Sequence, residues 1–222
     1  LGDVYKRQAE SVTDTETETS AEPTEQSATE HNIPALIAVN GDCIGWLSID
    51  GTSISYPVMY TPSEPQKYLR RSFYGQYSQS GVPFLDGRCS TVGGNLIIYG
   101  HNMNSGAMFG NLDLYADETY YQEHPFAYLQ TEDSIQEYRI VTVLKADRNL
   151  FPFQQKLADA EAVQEYLKAA KQREVFETGD DYLKCIYDKV LTLVTCSYEW
   201  SGARNIVLAV PVSGAVWSQK CS

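Results

Sequence analysis

The stretch Leu191-Thr192-Leu193-Val194-Thr195-Cys196 alternates aliphatic and β-branched residues and ends on a cysteine. Such a run is typical of a buried β-strand. Arg204 follows eight positions later, just before the next apolar run at 206–212. The pattern predicts two neighbouring strands that bring a thiol next to a fixed positive charge. Because that charge favours the thiolate, Cys196 is a candidate nucleophile. The alternative interpretation of Cys196 is a buried core thiol.

A candidate acid–base residue lies upstream, where the apolar run at 95–99 is followed by Gly100 and His101. The chain has three histidines. The position of His101 after a strand and a glycine predicts exposure at the mouth of a barrel, where an imidazole can transfer protons. His124 precedes a proline and is interpreted as a turn or capping residue. His31 falls in a segment that we expect to be disordered.

Arg204 has two interpretations. Its planar guanidinium can hold a substrate carbonyl or a developing oxyanion. Alternatively, Arg204 forms a surface ion pair of little value with Glu199. Asn102 follows His101 directly and could in principle orient the imidazole. We do not expect that role, because adjacent side chains on a strand point apart.

The fold class follows from eight short apolar runs, most of them bounded by Gly, Pro, Asp or Ser: residues 44–49, 54–58, 81–85, 95–99, 126–130, 136–144, 190–195 and 206–212. Eight short strands with few helices predict a mainly β protein with a closed or nearly closed barrel. A short helix is expected at 34–40. A second helix is predicted in the long excursion 145–189, with Asp159 as N-cap and an apolar stripe from Ala160 to Ala170.

An acidic tract precedes the barrel. Residues 9–30 contain seven acidic residues, six threonines and no basic residue, and carry −7 of the net charge of −12. This composition predicts a disordered spacer, because too little apolar surface is available to offset the entropy of ordering. We therefore expect a linker at 1–32, a single domain at 33–217 and a tail at 218–222. The acidic balance also argues against nucleic acid as a partner.

The cysteines at positions 43, 89, 185, 196 and 221 form no C-x-x-C pair, which argues against a zinc site or a dense disulfide framework. A domain of this size builds its own core without disulfides. Cys43, Cys89 and Cys185 are accordingly predicted to be small, buried or half-buried side chains. Cys221 lies in the tail and could form an adventitious intermolecular bridge.

Three motifs in this order resemble the sortases, cysteine transpeptidases of the Gram-positive cell surface: Tyr99-Gly100-His101, Thr192-Leu193-Val194-Thr195-Cys196 and Ala203-Arg204-Asn205. Further stretches are similar to class B sortases in particular: residues 45–49 with 54–58, residues 81–86 and residues 108–112. The helix predicted before the cysteine strand is also a class B feature. The resemblance covers roughly residues 35–212 and implies an eight-stranded sortase-type barrel with an N-terminal helix and that inserted helix.

The resemblance implies His101, Cys196 and Arg204 as the catalytic residues and Thr195, Ser197 and Leu69 as substrate-binding residues. It implies cleavage of a C-terminal sorting motif on surface proteins, through a thioester on Cys196. The acyl group would pass to an amine of a peptidoglycan precursor or of a pilin. No cofactor is implied. No metal is expected either, because calcium dependence belongs to class A and the acidic ligand cluster it would need is not evident.

The resemblance also implies a location at the outer face of a Gram-positive cell membrane. Sortases usually carry an N-terminal membrane anchor followed by a polar linker, and residues 9–30 fit that linker. No run of eighteen apolar residues is present, and the chain starts at Leu1 rather than Met. We therefore expect a fragment from which the anchor is absent.

Two alternatives come from other functional classes. A cysteine hydrolase of peptidoglycan would place its cysteine at a helix N-terminus and its histidine later in the chain, the reverse of the order here. A non-catalytic surface module of the pilin type would carry a C-terminal sorting signal with an apolar tail. Residues 213–222 are too short and too polar for such a signal.

Overall fold

The computed structural model describes residues 30–147, 153–196 and 202–212, with Cys196 described by its backbone alone. Eight strands form a single closed barrel: β1 (Cys43–Ile49), β2 (Ser55–Met59), β3 (Phe84–Leu85), β4 (Asn95–Tyr99), β5 (Phe126–Gln130), β6 (Ile135–Asp147), β7 (Val190–Cys196) and β8 (Ala203–Pro211). Their order around the barrel is β1-β2-β3-β4-β7-β8-β6-β5. The predicted mainly β barrel is confirmed.

Three α-helices accompany the barrel: α1 (Ile33–Val39), α2 (Glu118–Glu123) and α3 (Ala160–Lys171). Short 3₁₀ helices lie at Lys67–Arg70, Gly110–Ala116 and Asp181–Lys184. In the part of the chain that the structure describes, no helix is both long and apolar enough to cross a membrane.

Helix α3 is the inserted helix that the sequence predicts. The Asp159 carboxylate accepts a hydrogen bond from the backbone N–H of Ala162 and so caps the first turn. The stripe that faces the barrel consists of Val163, Tyr166, Leu167 and Ala170, all buried. The predicted stripe included Ala160, which is only half-buried, and omitted Tyr166.

The barrel is built mostly from antiparallel pairs. Among the described residues, parallel pairing is found between β2 and β3 and between β4 and β7. Strands β6 and β8 run beside each other from Asp147 to Tyr138, with a register shift between Ile140 and Thr142. Side chains on the interior face of these strands form one continuous apolar core with α3.

Several element boundaries differ from the sequence expectation. The third strand is confined to Phe84–Leu85. The preceding residues 81–83 instead pack closely against the backbone of the 3₁₀ helix at 67–70. Strands β6 and β8 are longer than the apolar runs that predict them, because backbone pairing continues through Lys145, Asp147 and Arg204. Of residues 108–112, which are similar to class B sortases, the last three lie in the 3₁₀ helix that begins at Gly110.

His31 is packed on the barrel, contrary to the expectation that it lies in a disordered segment. Its ring stacks on Trp46 with centroids 4.0 Å apart. Its backbone N–H and C=O exchange hydrogen bonds with the side chain of Gln130. The packed part of the chain therefore includes residue 31, whereas residues 1–29 of the predicted linker and the tail at 218–222 lie outside the described residues.

The three cysteines predicted to be small, buried or half-buried side chains are all buried. Cys43 and Cys89 are free thiols. Cys185 is disulfide-bonded, contrary to the expectation that the domain builds its core without disulfides. Sequence spacing could not reveal this bond, because the pairing of cysteines cannot be read from spacing alone. The sulfur bonded to Cys185 and the whole of Cys221 lie outside the described residues.

Gly100 follows β4 and packs directly against a buried ring. A Cβ atom added at Gly100 would lie 2.5 Å from Cγ of Phe109. Phe109 is fully buried, and its N–H donates to the carbonyl of His101 at 2.9 Å. The glycine thus lets the segment after His101 fold back onto the strand.

We predict that Gly100→Ala lowers the melting temperature, because the added methyl must displace Phe109 from a filled site. Overpacking of this kind costs about 1–3 kcal/mol of unfolding free energy. The control is Gly41→Ala, where an added Cβ meets nothing within 4 Å. Calorimetry of both variants checks the prediction, and equal melting temperatures for the two would contradict it.

Candidate active site

Strand β7 brings the three candidate catalytic positions to one end of the barrel. It pairs in parallel with β4, with Tyr99 opposite Val194, and antiparallel with β8, with Cys196 opposite Arg204. The first pairing continues one residue beyond β4, since the N–H of Gly100 donates to the carbonyl of Val194 at 3.1 Å. His101 therefore follows on one side of the end of β7, and Arg204 lies on the other.

A cavity of about 610 Å³ opens at this end of the barrel. Both His101 and Arg204 lie in its wall. The remaining lining residues lie between β2 and β4, at the ends of β4 and β7, and just before α3: Pro65, Gln66, Leu69, Phe84, Asp86, Gly87, Arg88, Tyr99, Gly100, Phe153, Val194 and Thr195. The lining is mostly apolar with a few polar groups, which is the usual composition of a ligand site.

The imidazole of His101 is half-buried and held by a backbone carbonyl. Its Nε2 lies 2.8 Å from the carbonyl oxygen of Leu69. Because a carbonyl can only accept, Nε2 carries the proton and donates it. Gly81 packs closely against the carbonyl oxygen of Leu69. Gly81 has φ +60°, and a Cβ added there would lie 2.7 Å from that oxygen. The 3₁₀ helix at 67–70 thereby fixes the orientation of the ring.

The guanidinium of Arg204 is half-buried at the start of β8. Its Nη1 donates to the carbonyl of Ala203 at 2.7 Å. Arginine has five N–H donors, so this single bond leaves capacity for a ligand in the cavity. The alternative pairing of Arg204 with Glu199 falls on a residue outside the described ranges.

The predicted substrate-binding residues fall into three situations. Leu69 contributes to the cavity wall and also binds His101 through its backbone. Thr195 lies in the wall, but its side chain is 2% exposed and its hydroxyl donates to the carbonyl of Gly100 at 2.8 Å. Ser197 lies outside the described residues.

The sequence pattern does not single out a polar group on the cavity wall, formed by Asp86, Arg88 and Tyr99. Arg88 donates to the Asp86 carboxylate through Nε at 3.0 Å and through Nη2 at 2.7 Å. The hydroxyl of Tyr99 donates to the same carboxylate at 3.3 Å. The available signal was a charged pair directly after a short apolar strand.

The electrostatics of this group keep Asp86 ionised. Burial alone would raise the pKa of Asp86, but the hydrogen bonds and charge of Arg88 outweigh burial, so the pKa lies below its ordinary value. Burial, together with the charge of Asp86, raises the pKa of Tyr99. Tyr99 therefore remains a neutral donor at physiological pH.

The two free thiols in the described part of the chain, Cys43 and Cys89, are poor candidates for the nucleophile. Burial raises the pKa of Cys43, and it raises the pKa of Cys89 to about 11. Both sulfurs are therefore protonated at neutral pH, and neither lines the cavity. Since the thiolate is the reactive form, these two cysteines are inert by position.

His124 lies away from the cavity, at the C-terminal end of α2. Its Nδ1 donates to the carbonyl of Asp50 at 2.9 Å, which joins α2 to the turn after β1. This agrees with the predicted capping role. Across the described ranges, no group of three His, Cys, Asp or Glu side chains is arranged to hold a metal ion.

Comparison with known proteins identifies this architecture. The family model described as the sortase domain matches residues 47–212. Sortase B of Listeria monocytogenes is 28% identical over 166 residues, which make up 74% of this chain and 66% of that protein. The X-ray structure of Clostridium perfringens sortase B superposes with a TM-score of 0.73 at 26% identity, covering 81% of this chain and 99% of the other.

A Staphylococcus aureus sortase B–substrate complex has the same fold, with a TM-score of 0.72 at 22% identity, over 82% of this chain and 85% of the other. The residues that match the family model include the end of β1 and every strand from β2 to β8. The chain therefore belongs to the sortase family of cysteine transpeptidases, and within it to class B.

Proposed function

We propose that Cys196, His101 and Arg204 are the catalytic residues of a transpeptidase that cleaves a C-terminal sorting motif on surface proteins. One observation carries the proposal: His101 and Arg204 line a single cavity on either side of the strand that ends at Cys196. The Staphylococcus aureus sortase B of the same fold was solved as a substrate complex, and we propose a peptide as the ligand of the cavity in this chain.

The proposed reaction begins with attack of the Cys196 thiolate on the carbonyl carbon of the scissile peptide bond. The donors of Arg204 stabilise the negative charge that develops on the carbonyl oxygen. His101 then protonates the leaving amine, the C–N bond breaks, and a thioester remains on Cys196. An incoming amine attacks the thioester, His101 takes up its proton, and the thiolate leaves.

His101 is suited to this exchange by the way it is held. Nε2 is engaged with the carbonyl of Leu69, so Nδ1 is the nitrogen left to exchange protons with the substrate. Since the ring cannot rotate without losing that bond, its direction is set before the peptide arrives. Thr195, Leu69 and Ser197 remain predicted substrate contacts, with Thr195 acting through its backbone or methyl group because its hydroxyl is already used.

The acceptor is proposed to be an amine of a peptidoglycan precursor or of a pilin. Sortases are Gram-positive cell-surface enzymes, and we propose that the intact protein is held at the outer face of the membrane by an N-terminal anchor. The threonine- and glutamate-rich tract at 9–30 would be the spacer between that anchor and the barrel.

The substrate experiment uses a peptide library that varies five positions ahead of a fixed C-terminal tag. Mass spectrometry of the cleaved products identifies the motif. Hydroxylamine added to the same reaction captures a thioester as a hydroxamate, whereas direct hydrolysis gives only the free acid. Hydroxamate formation from the sorting peptide shows a thioester, which a non-catalytic module cannot form. Cleavage of the sorting peptide, with no cleavage of purified peptidoglycan fragments, distinguishes a transpeptidase from a peptidoglycan hydrolase.

We predict that Cys196→Ala abolishes both peptide cleavage and hydroxamate formation, because the covalent centre is removed. Cys43→Ala and Cys89→Ala are matched controls that should keep the wild-type rate, apart from a modest loss of stability. Cleavage by the Cys196 variant above trace level would refute the covalent mechanism.

We predict that His101→Ala lowers kcat by about 10²–10⁴-fold, the usual contribution of a positioned proton-transfer group. His124→Ala should keep kcat and lose only the stability of the contact with Asp50. Steady-state kinetics of the two variants provide the check, and an essential His124 with a dispensable His101 would reverse the assignment.

We predict that Arg204→Lys loses nearly as much activity as Arg204→Ala, with kcat about 10²–10³-fold below wild type. Lysine keeps the charge but lacks the planar fork that grips a carbonyl oxygen. If Arg204 acted only as a counter-charge, lysine would restore much of the rate. A lysine variant within a few-fold of wild type would therefore contradict the directional role.

A further inference from the structure

A carboxylate lies between two buried amides behind the candidate catalytic residues. Nδ2 of Asn102 donates to Oδ2 of Asp113 at 2.7 Å, and Nδ2 of Asn205 donates to Oδ1 of the same carboxylate. Asn102 is 5% exposed and Asn205 is 3% exposed. Asp113 belongs to the 3₁₀ helix at 110–116, which is fixed to the barrel by the buried side chains of Leu112 and Tyr115.

The two asparagines are the immediate neighbours of His101 and Arg204 in the chain. Adjacent side chains in extended backbone point to opposite sides. His101 and Arg204 line the cavity, whereas Asn102 and Asn205 are buried and meet Asp113. Each strand end thus carries a cavity residue on one side and an anchoring amide on the other, and a single carboxylate joins the two amides.

The arrangement is poorly explained by stability alone. Oδ1 of Asn205 is buried without a hydrogen-bond partner in the part of the chain that the structure describes. A buried polar atom left unsatisfied is unfavourable, and an apolar side chain at position 205 would avoid it. Hydrogen bonds to an ionised carboxylate are also shorter and roughly twice as strong as neutral ones, and two of them fix a direction as well as a distance.

We propose that Asp113 is a positioning residue, which sets the separation of His101 and Arg204 through Asn102 and Asn205. The inference rests on the catalytic roles proposed above for those two residues. Asp113 itself is absent from the cavity lining. Its effect is geometric: without it, the strand ends that flank Cys196 can move relative to each other.

The first test is Asp113→Asn, which preserves size but replaces one acceptor oxygen by an NH₂ group. One of the two asparagine amides must then face another donor. A misplacement of about 1 Å in a catalytic group can cost about 10²-fold in rate. We expect kcat for the library-selected peptide to fall about tenfold to a hundredfold, with KM little changed because the cavity wall is intact.

The second test is rescue by exchange, with Asn102→Asp and Asp113→Asn combined. The new amide at 113 can donate to the carboxylate at 102 and accept from Asn205. Both hydrogen bonds are thus restored, and the one between positions 102 and 113 has its donor and acceptor exchanged. We expect the double variant to recover most of the lost kcat, measured at its own pH optimum. A role in stability alone would not predict recovery of kcat in a variant whose melting temperature stays low.

Two controls separate positioning from general loosening. Asp117→Asn alters a carboxylate one residue beyond the same 3₁₀ helix, where asparagine is an equally good N-cap for α2, and should keep the wild-type kcat. Leu112→Val loosens the packing of the 3₁₀ helix without touching the amides and should lower the melting temperature while keeping kcat near wild type.

Three results would overturn the inference. They are a wild-type kcat for Asp113→Asn, a double variant that folds but recovers nothing, and a loss of kcat in Leu112→Val equal to that in Asp113→Asn. Failure of the proposed function is distinguishable, because it would show as wild-type rates for His101→Ala and Arg204→Ala. If those two variants lose activity while Asp113→Asn does not, only the positioning role fails.

Discussion

The double pairing of β7 is the constraint on which the site depends. One edge of this strand runs parallel to β4 and the other antiparallel to β8. Residues from distant parts of the sequence therefore come together at one strand end, although 95 positions separate His101 from Cys196. Ladder hydrogen bonds fix the register on both sides, and a slip of one residue would turn every side chain of β7 to the other face. The closed barrel removes the alternative of an unpaired edge.

Position also decides which thiol can act as the nucleophile. Cys43 and Cys89 are buried in apolar surroundings, where desolvation raises their pKa values and keeps them protonated. Position 196 is the last residue of its strand and lies opposite an arginine in the sheet register. A positive charge at that place favours the ionised form of a thiol. The same chain thus contains inert and candidate reactive cysteines, and the sheet register separates them.

Much of the fold was predictable because strands of four to nine residues bounded by Gly, Pro and Asp leave a clear pattern. The pattern also indicated His101 and Arg204, since each directly follows or precedes an apolar run. It could not show the carbonyl of Leu69 that holds His101, because a backbone contact between residues 32 positions apart leaves no side-chain signal. The amide–carboxylate link at Asp113 is equally hidden, because the sequence suggests Asn102 only as a direct partner of the imidazole. The bond of Cys185 depends on tertiary pairing, which spacing does not encode.

The inserted segment before β7 is tied to the buried face of the same strand. Thr192 and Asn95, both fully buried, share a hydrogen bond of 2.9 Å between β7 and β4, and Nδ2 of Asn95 donates to the carbonyl of Gln154 at 2.8 Å. Phe153, the neighbour of Gln154, lines the cavity. The wall of the cavity and the strand that ends at Cys196 are therefore fixed to one polar group buried between the barrel and the inserted segment. Because a buried amide loses its hydrogen bonds if either element moves alone, the insertion and strand β7 are held as one unit.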